Sequence, residues 1–396
     1  MTSSKNTTAP SQKKAEKRET NAMWTRRGFL RTSGVGVVGT AGLCLGIQGD
    51  NAKLGTSLDA EDRIPDGSAS KGMITQRAEE GIRRGLAFLY AKRERDGSFG
   101  SGGYRGNVAV TALAGMAFMC GGHQPGRGTY GRAVQDALRF ILSKENVNGG
   151  FPGFLHNPAA SLHGPMYGHG FAALFLTEAY GMVHDRAMRE DLQNKARRAV
   201  KLILKAQNSE GGWRYEPRST DADLSVTVCQ IMALRSAKNA GIFIPKKAVD
   251  DCTKYVKDCQ DRIEGWFRYM KRGGGGGGPQ GFARTAAGVC ALNAAGIYKG
   301  DEVERGLKFL LKNKPSGGVF GRPDLHYFYG HYYAVQAMWT AGGSYWAEWY
   351  PAIRDELLNR QNADGSWSDQ ICTHYGTAMA TIILQVPNNY LPILQK

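Results

Sequence analysis

Gln207-Asn208-Ser209-Glu210-Gly211-Gly212-Trp213 returns 154 residues later as Gln361-Asn362-Ala363-Asp364-Gly365-Ser366-Trp367. Looser copies are Asp96-Gly97-Ser98-Phe99, Asn148-Gly149-Gly150-Phe151, Gln260 to Gly265-Trp266, and Gly317-Gly318-Val319-Phe320. From aromatic to aromatic the steps are 52, 62, 53, 54 and 47 residues, which divides the chain into six repeats. Upstream of a phrase, apolar residues fall at helical spacing, as in Ala199-Val200, Leu202-Ile203-Leu204 and Ala206. Downstream, the chain is almost wholly small and apolar: 108–119, 171–179, 226–237, 285–295, 332–341 and 377–386.

A helix apolar on one side belongs at an outer surface, and a helix apolar all round is buried. Six such pairs predict two concentric rings: an all-α chain forming a single (α/α)6 toroid over residues 75–396. Glycine is expected to close the helices, where a left-handed residue is needed. The aromatic covers the turn, and the Gln hydrogen-bonds backbone in the next repeat. Ala112, Ala114 and Gly115, like Ala286, Ala287 and Gly288, let inner helices approach closely. An open solenoid of the HEAT type has a period of roughly 40–47 residues; the longer steps here favour a closed ring. A hydrophobic share of 42% excludes a mainly disordered chain. The 53 glycines follow no collagen period. No apolar run reaches the roughly 18–20 residues of a membrane-spanning helix.

The phrases resemble the QW repeats of squalene–hopene cyclases and protein prenyltransferase β-subunits, most clearly at Gln207 to Trp213 and Gln361 to Trp367. The resemblance covers roughly residues 75–396 and implies the toroid and a central cavity for an isoprenoid or other hydrophobic ligand. It constrains chemistry far less, since one fold hosts many functions and the same toroid occurs in the non-terpenoid complement thioester domain. Triterpene cyclases usually have two domains; this chain has length for one toroid.

Residues 1–50 read as an address. Thr25-Arg26-Arg27-Gly28-Phe29-Leu30-Arg31, followed by a glycine-rich apolar stretch from Val35 to Ile47, resembles a twin-arginine export signal. Residues 51–74 form a linker, and the protein is expected in the periplasm or cell envelope. Of the net charge of +16, +6 falls in residues 1–49 and +10 in the rest. A basic body suits peripheral contact with an anionic membrane face. No nucleic-acid motif is present, and a protein partner is not identified by any motif. Six cysteines follow Cys44 without a CxxC. Cys120, Cys229 and Cys290 sit in apolar helical patterns that suit buried free thiols.

The N-termini of inner helices carry unpaired N–H groups and a positive dipole end, so polar residues just after each turn are the candidates at one mouth of the ring. They are Tyr167 and His169, Asp221 and Asp223, Arg284, then Asp324, His326, Tyr329 and His331, and finally His374 and Tyr375. Tyr329 and Tyr332 could stabilise a cation by ring contact or simply pack. The family resemblance gives Asp221 and Asp223 the first and middle places of the cyclase D-x-D-D motif, whose middle acid protonates an alkene; Leu224 stands where the last acid would be. The plain alternative is helix capping by Asp223. The prenyltransferase resemblance places His374 where a zinc ligand would lie. The Asp-x-Cys pair of that family is missing, leaving Asp324, His326 or His331 as substitutes. No cofactor is required, and zinc is the metal these residues could take. Two functions stay open: an isoprenoid-cyclising enzyme, or a non-catalytic exported toroid binding a lipid, glycan or protein. A glycan-cleaving ring is more distant, because it would need carboxylates paired across the cavity.

Overall fold

The apolar spacing sorts the twelve α-helices of the described residues into two kinds. The structure, a computed structural model, describes residues 68–148, 150–160, 164–272, 279–315 and 326–395. The export signal, most of the linker, His163, the glycine run 273–278, the fifth turn and Asp324 lie outside them. The one-sided helices are α1 (Gln76–Ala91), α3 (Gly131–Ser143), α5 (Arg186–Ala206), α7 (Lys246–Asp258), α9 (Asp301–Lys312) and α11 (Gly343–Asn359). The others are α2 (Val108–Cys120), α4 (Pro165–Tyr180), α6 (Leu224–Asn239), α8 (Pro279–Ala294), α10 (Tyr327–Ala341) and α12 (Thr373–Gln385). Outer α5 buries one stripe containing Leu192, Ala196, Ala199, Val200 and Ile203, whereas inner α6 is buried on every side from Val226 to Leu234.

Inner helices pack in chain order, α2 on α4, α6, α8, α10 and α12, and α12 returns to α2. The ring is therefore closed. Close packing of its members is steric: a Cβ on Gly115 of α2 would strike the Phe175 ring at 2.6 Å. The glutamines of the repeat phrase act as staples. Gln207 Nε2 donates to Gly211 O (2.8 Å) in its own turn and to Ala248 O (2.9 Å) of the next outer helix. Gln260 does the same to Gly265 O and Glu302 O. Gln361 donates to Gly365 O and to Gly81 O of α1, tying the last repeat to the first.

Each described turn also holds one glycine with φ near +90°, and a Cβ there would meet a carbonyl of the next outer helix. Gly97 faces Asp136 O, Gly153 faces Arg198 O, Gly211 faces Asp251 O, Gly265 faces Arg305 O and Gly365 faces Arg84 O. This refines one expectation and corrects another. Glycine does close inner helices in the left-handed region, at Gly122, Gly241, Gly296 and Gly342, but the glycines of the repeat phrase serve turn-to-helix docking. In the second repeat the docking residue is Gly153, not Gly150, whose added Cβ would meet nothing, so the first three intervals become 56, 58 and 54 residues.

The aromatic register also needs correction in the fourth repeat. Phe99, Trp213, Phe267 and Trp367 are wholly buried. Their backbone N–H groups donate to Thr111, Thr227, Thr285 and Thr377 Oγ1 on the following inner helix. Trp266, expected in that seat, is instead half-buried and donates to Glu264. The second repeat has no threonine there, and a short hairpin of β1 (Glu145–Asn146) and β2 (Phe154–Leu155) replaces the simple turn.

The C-terminal ends of the inner helices are covered by the chain's own tail. A turn at Pro392–Leu394 packs on α6 and α10, and buries Leu391 and Leu394. Trp339 Nε1 donates to Leu394 O at 2.9 Å. Beneath it lies Glu178, 3% exposed. Its Oε1 accepts from Ser236 Oγ (2.5 Å) and its Oε2 from Ile393 N (3.2 Å). All six described cysteines are buried and unpaired.

Candidate functional site at the ring mouth

At least one residue from the first turns of each inner helix keeps partial contact with solvent, among them Ala109, Tyr167, Ser225, Arg284, Tyr329 and Thr373. Deeper along the helices the ring is closed: Leu113, Phe171, Cys229, Tyr332 and Tyr333 are all buried. The mouth, called the bowl below, is thus a rim of partly buried first-turn residues above a layer of buried aromatic rings. Desolvation pushes the hydroxyls of Tyr167 and Tyr329 well above the usual tyrosine range. In the floor, Tyr329 and Tyr333 meet edge-on at 4.8 Å, Tyr332 and Tyr333 at 4.9 Å, and Phe171 and Tyr332 at 6.0 Å between ring centroids.

One wall of the bowl is a hydrogen-bonded network around the start of α6. Asp223 caps the helix: Oδ1 accepts from Val226 N (2.8 Å) and Ser225 Oγ (2.6 Å). Its Oδ2 faces Arg214 Nη1 at 3.4 Å, and its own N–H donates to Trp213 O. Asp223 is 0% exposed. Burial raises its pKa, against the lowering effect of Ser225, Val226 and Arg214. Asp221 is the more open partner of Arg214, at 3.6 Å. The Arg214 guanidinium lies over the rings of Tyr215 and Tyr269, whose hydroxyls bond each other. Tyr167 shares a hydrogen bond with Ser225 Oγ at 2.7 Å, and Tyr329 donates to Ser225 O at 2.8 Å. Asp221, Asp223, Tyr167 and Tyr329 are thereby brought together. Arg214, Ser225 and Tyr269 join them, though Arg214 and Tyr269 precede the helix start at which candidates were sought.

Arg284 belongs to a neighbouring wall, where its Nε donates to Phe267 O at 3.2 Å. Tyr332 lies in the floor. His169 does not belong to the bowl, contrary to expectation. It is wholly buried between hairpin and outer ring: Nδ1 accepts from Leu155 N (3.1 Å) and Nε2 donates to Ala199 O (3.1 Å). Desolvation drops its pKa to about 4, so it stays neutral. It fills the seat that threonine takes in the other described repeats.

The histidines considered for zinc occupy separate seams. His374 donates from Nε2 to Lys92 O (3.2 Å) and packs against Phe88 and Phe99. His331 is enclosed by Phe282, Tyr327 and Trp349, and burial lowers its pKa to about 3. His326 is exposed, with φ of 79°. Among the described residues no three metal-ligating side chains converge.

Sequence reasoning passed over Asp369. It precedes α12 as Asp221 and Asp223 precede α6, and polarity just after a repeat turn was the available signal. Its Oδ1 accepts from Ile371 N at 2.8 Å. It is half-buried, and desolvation raises its pKa against the lowering effect of the Ile371 N–H and the charge of His326.

A closed ring of six helix pairs with its polar residues at the inner-helix N-termini defines the class: an (α/α)6 toroid. Residues 121–319, half of the chain, match the family described as the squalene-hopene cyclase C-terminal domain, and the chain belongs to that family. No curated protein matches the sequence. Similar solved structures include a type II terpene cyclase from Scytonema in complex with its substrate geranylgeranyl dihydroxybenzoate. It is 14% identical, with a TM-score of 0.54 over 80% of this chain and 98% of that one. An inactive α-1,6-mannanase variant of Salegentibacter sp. in complex with α-1,6-mannotriose is 10% identical, with a TM-score of 0.55 over 79% and 99%. A cellobiose 2-epimerase from Bacillus thermoamylovorans is 12% identical, with a TM-score of 0.55 over 78% and 98%. At these identities the likeness is one of fold.

Proposed function

We propose that this chain binds a ligand, a sugar in preference to an isoprenoid, at the mouth of its ring and does not protonate an alkene there. The observation that carries this reading is the state of Asp223. A cyclising acid has to present a proton to an apolar chamber. Asp223 is sealed from the bowl, both its oxygens face donors, and Arg214 stands beside it. These contacts favour the anion. The residue at the place of the motif's last acid, Leu224, is buried and apolar.

The bowl itself offers tyrosine and serine hydroxyls and an arginine head above aromatic faces, which suits a ring with polar edges and an apolar face. Two of the similar folds are named for work on sugars, the mannanase and the epimerase. A second reading, proton-initiated cyclisation of an isoprenoid, draws support from family membership and from the burial that pushes Asp223 upward. One experiment separates them. The full chain is incubated with squalene and assayed for cyclised products by gas chromatography–mass spectrometry. In parallel it is titrated calorimetrically with α-1,6-mannotriose. Saturable sugar binding and no cyclised product are expected. A cyclised product that disappears in Asp223→Asn would overturn the proposal.

A further inference from the structure

Beyond α12 the chain crosses the C-terminal end of the ring. The inner helices close in the order α2, α4, α6, α8, α10, α12. The tail leaves α12, and its Pro392–Leu394 turn packs on α6, which holds the opposite place in that order. The crossing begins at Asn389, where the backbone turns through a φ of 52°. Asn389 Oδ1 is buried there without a donor, which weighs against the closed arrangement. The tail's own turn is closed by Leu394 N to Leu391 O and by Gln395 Nε2 to Asn389 O. Among the described residues, two hydrogen bonds tie this stretch to the ring. Ile393 N donates to Glu178 Oε2 of α4 at 3.2 Å, and Trp339 Nε1 of α10 donates to Leu394 O at 2.9 Å. Leu391 and Leu394 supply the apolar contact. One of the two ties therefore ends on a buried carboxyl that can ionise.

We propose that residues 389–395 form a strap over this end of the ring, and that ionisation of Glu178 releases it. Neutral Glu178 is tolerated in an enclosed site, whereas the anion loses its hydration there. The donors that meet it are the Ser236 hydroxyl and the Ile393 N–H. Desolvation outweighs both and raises its pKa to about 7. The surrounding elements bring no compensating charge. From α2 comes the Cys120 thiol, pushed up by burial and by the charge of Glu178. From α6 comes Ser236, itself bonded to Thr177 of α4, and from α10 comes Trp339. The tail from Pro387 to Gln395 has no Asp, Glu, His, Lys or Arg, and its Tyr390 ring lies against Gly122. Lifting the strap lets water reach the carboxylate and returns its pKa toward 4.5. The closed-state value lies above the open-state value. The strap is therefore held most firmly below pH 4.5, and its hold weakens as pH rises and levels off above about 7. Between pH 5 and pH 8 the ratio of open to closed strap should rise roughly 70-fold. Opening uncovers Glu178, Ser236 and Thr177, a polar cluster at the end opposite the mouth.

The test is amide hydrogen exchange of the full chain between pH 5 and pH 9, read by mass spectrometry as protection factors, which remove the intrinsic pH dependence of exchange. The tail peptide 389–396 reports the strap, and a core peptide of α6, residues 226–237, reports global opening. In the unaltered chain the tail's protection should fall at least about tenfold between pH 5 and pH 8 while the core peptide holds. In Glu178→Gln the tail's protection should not change with pH. Ser236→Ala leaves the acid in place and removes a donor that holds its pKa down, so the fall should level off at a higher pH than in the unaltered chain. Constant tail protection in the unaltered chain overturns the proposal, as does an equal fall in Glu178→Gln. A fall shared by tail and core peptides is global unfolding and overturns it too. Should Glu178→Gln not fold, Ser236→Ala decides: a fall that levels off at the same pH as in the unaltered chain takes Glu178 out of the strap.

Discussion

The two ends of the inner ring are built from the same six helices and finished in opposite ways. At the N-terminal mouth the first turns stay in contact with water, and Asp369 is only partly buried. At the C-terminal end the tail lies across the ring, and the buried carboxylate there, Glu178, has donors on both oxygens. The contrast teaches where interaction energy is committed to the fold and where it is left over for something else. Removing residues 391–396 breaks the sealed end. Burial of a leucine is worth about 1.5–3 kcal/mol, so loss of Leu391 and Leu394 destabilises the chain by about 3–6 kcal/mol in urea unfolding. Cys120 and Cys290 should also begin to react with a thiol reagent in the folded state. A truncated chain as stable as the full one, with thiols still silent, would remove the difference between the ends.

Glu178 sharpens the same comparison through pH. Burial raises its pKa from 4.5 to about 7, while Ser236 and the Ile393 N–H hold it down. A folded-state pKa above the unfolded value means that its stabilisation is present below pH 4.5 and is lost as pH rises through about 7. The full difference is about 3 kcal/mol. Glu178→Gln should flatten that part of the stability profile between pH 4.5 and 8, as measured by denaturant midpoints. An unchanged slope would show that the sealed acid does not titrate in this range.

The repeat pattern made the ring legible because one stripe of apolar residues and an all-round apolar run bury themselves in only one arrangement of layers. Positions within the turns were less legible. Glycine and aromatic residues are abundant enough that Gly149-Gly150 and Trp266 imitate the phrase. The true seats, Gly153 and Phe267, are set by an outer-helix carbonyl and by Thr285 Oγ1, and both are distant in sequence. The site was half legible for a related reason. Distance from a helix start fixes depth along the axis but not the side that faces the centre. His169 and Tyr167 are two residues apart, yet one turns to the outer ring and the other to the bowl. Arg214 belongs to the turn and reaches Asp223 only because backbone pairing of Trp213 with Asp223 folds it back.

His169 also offers the mildest test of the comparison between ends, since it belongs to neither. Thr111, Thr227, Thr285 and Thr377 receive a turn N–H in four repeats; His169 receives Leu155 N in the second and adds a bond to Ala199 O. A threonine there can restore the first bond and cannot reach the second. His169→Thr should therefore keep the fold and any ligand affinity at the mouth, and cost about 2 kcal/mol at neutral pH from the lost bond and the space left behind. The pH dependence supplies a signature. The folded pKa is depressed to about 4, so the stabilisation due to neutral His169 is present above the unfolded value near 6.5 and is lost as pH falls through about 4. With threonine that acid-side loss should shrink, and the stabilities of the two proteins should converge toward pH 4. A variant that instead lost binding at unchanged stability would return His169 to the bowl and break the assignment of the second repeat.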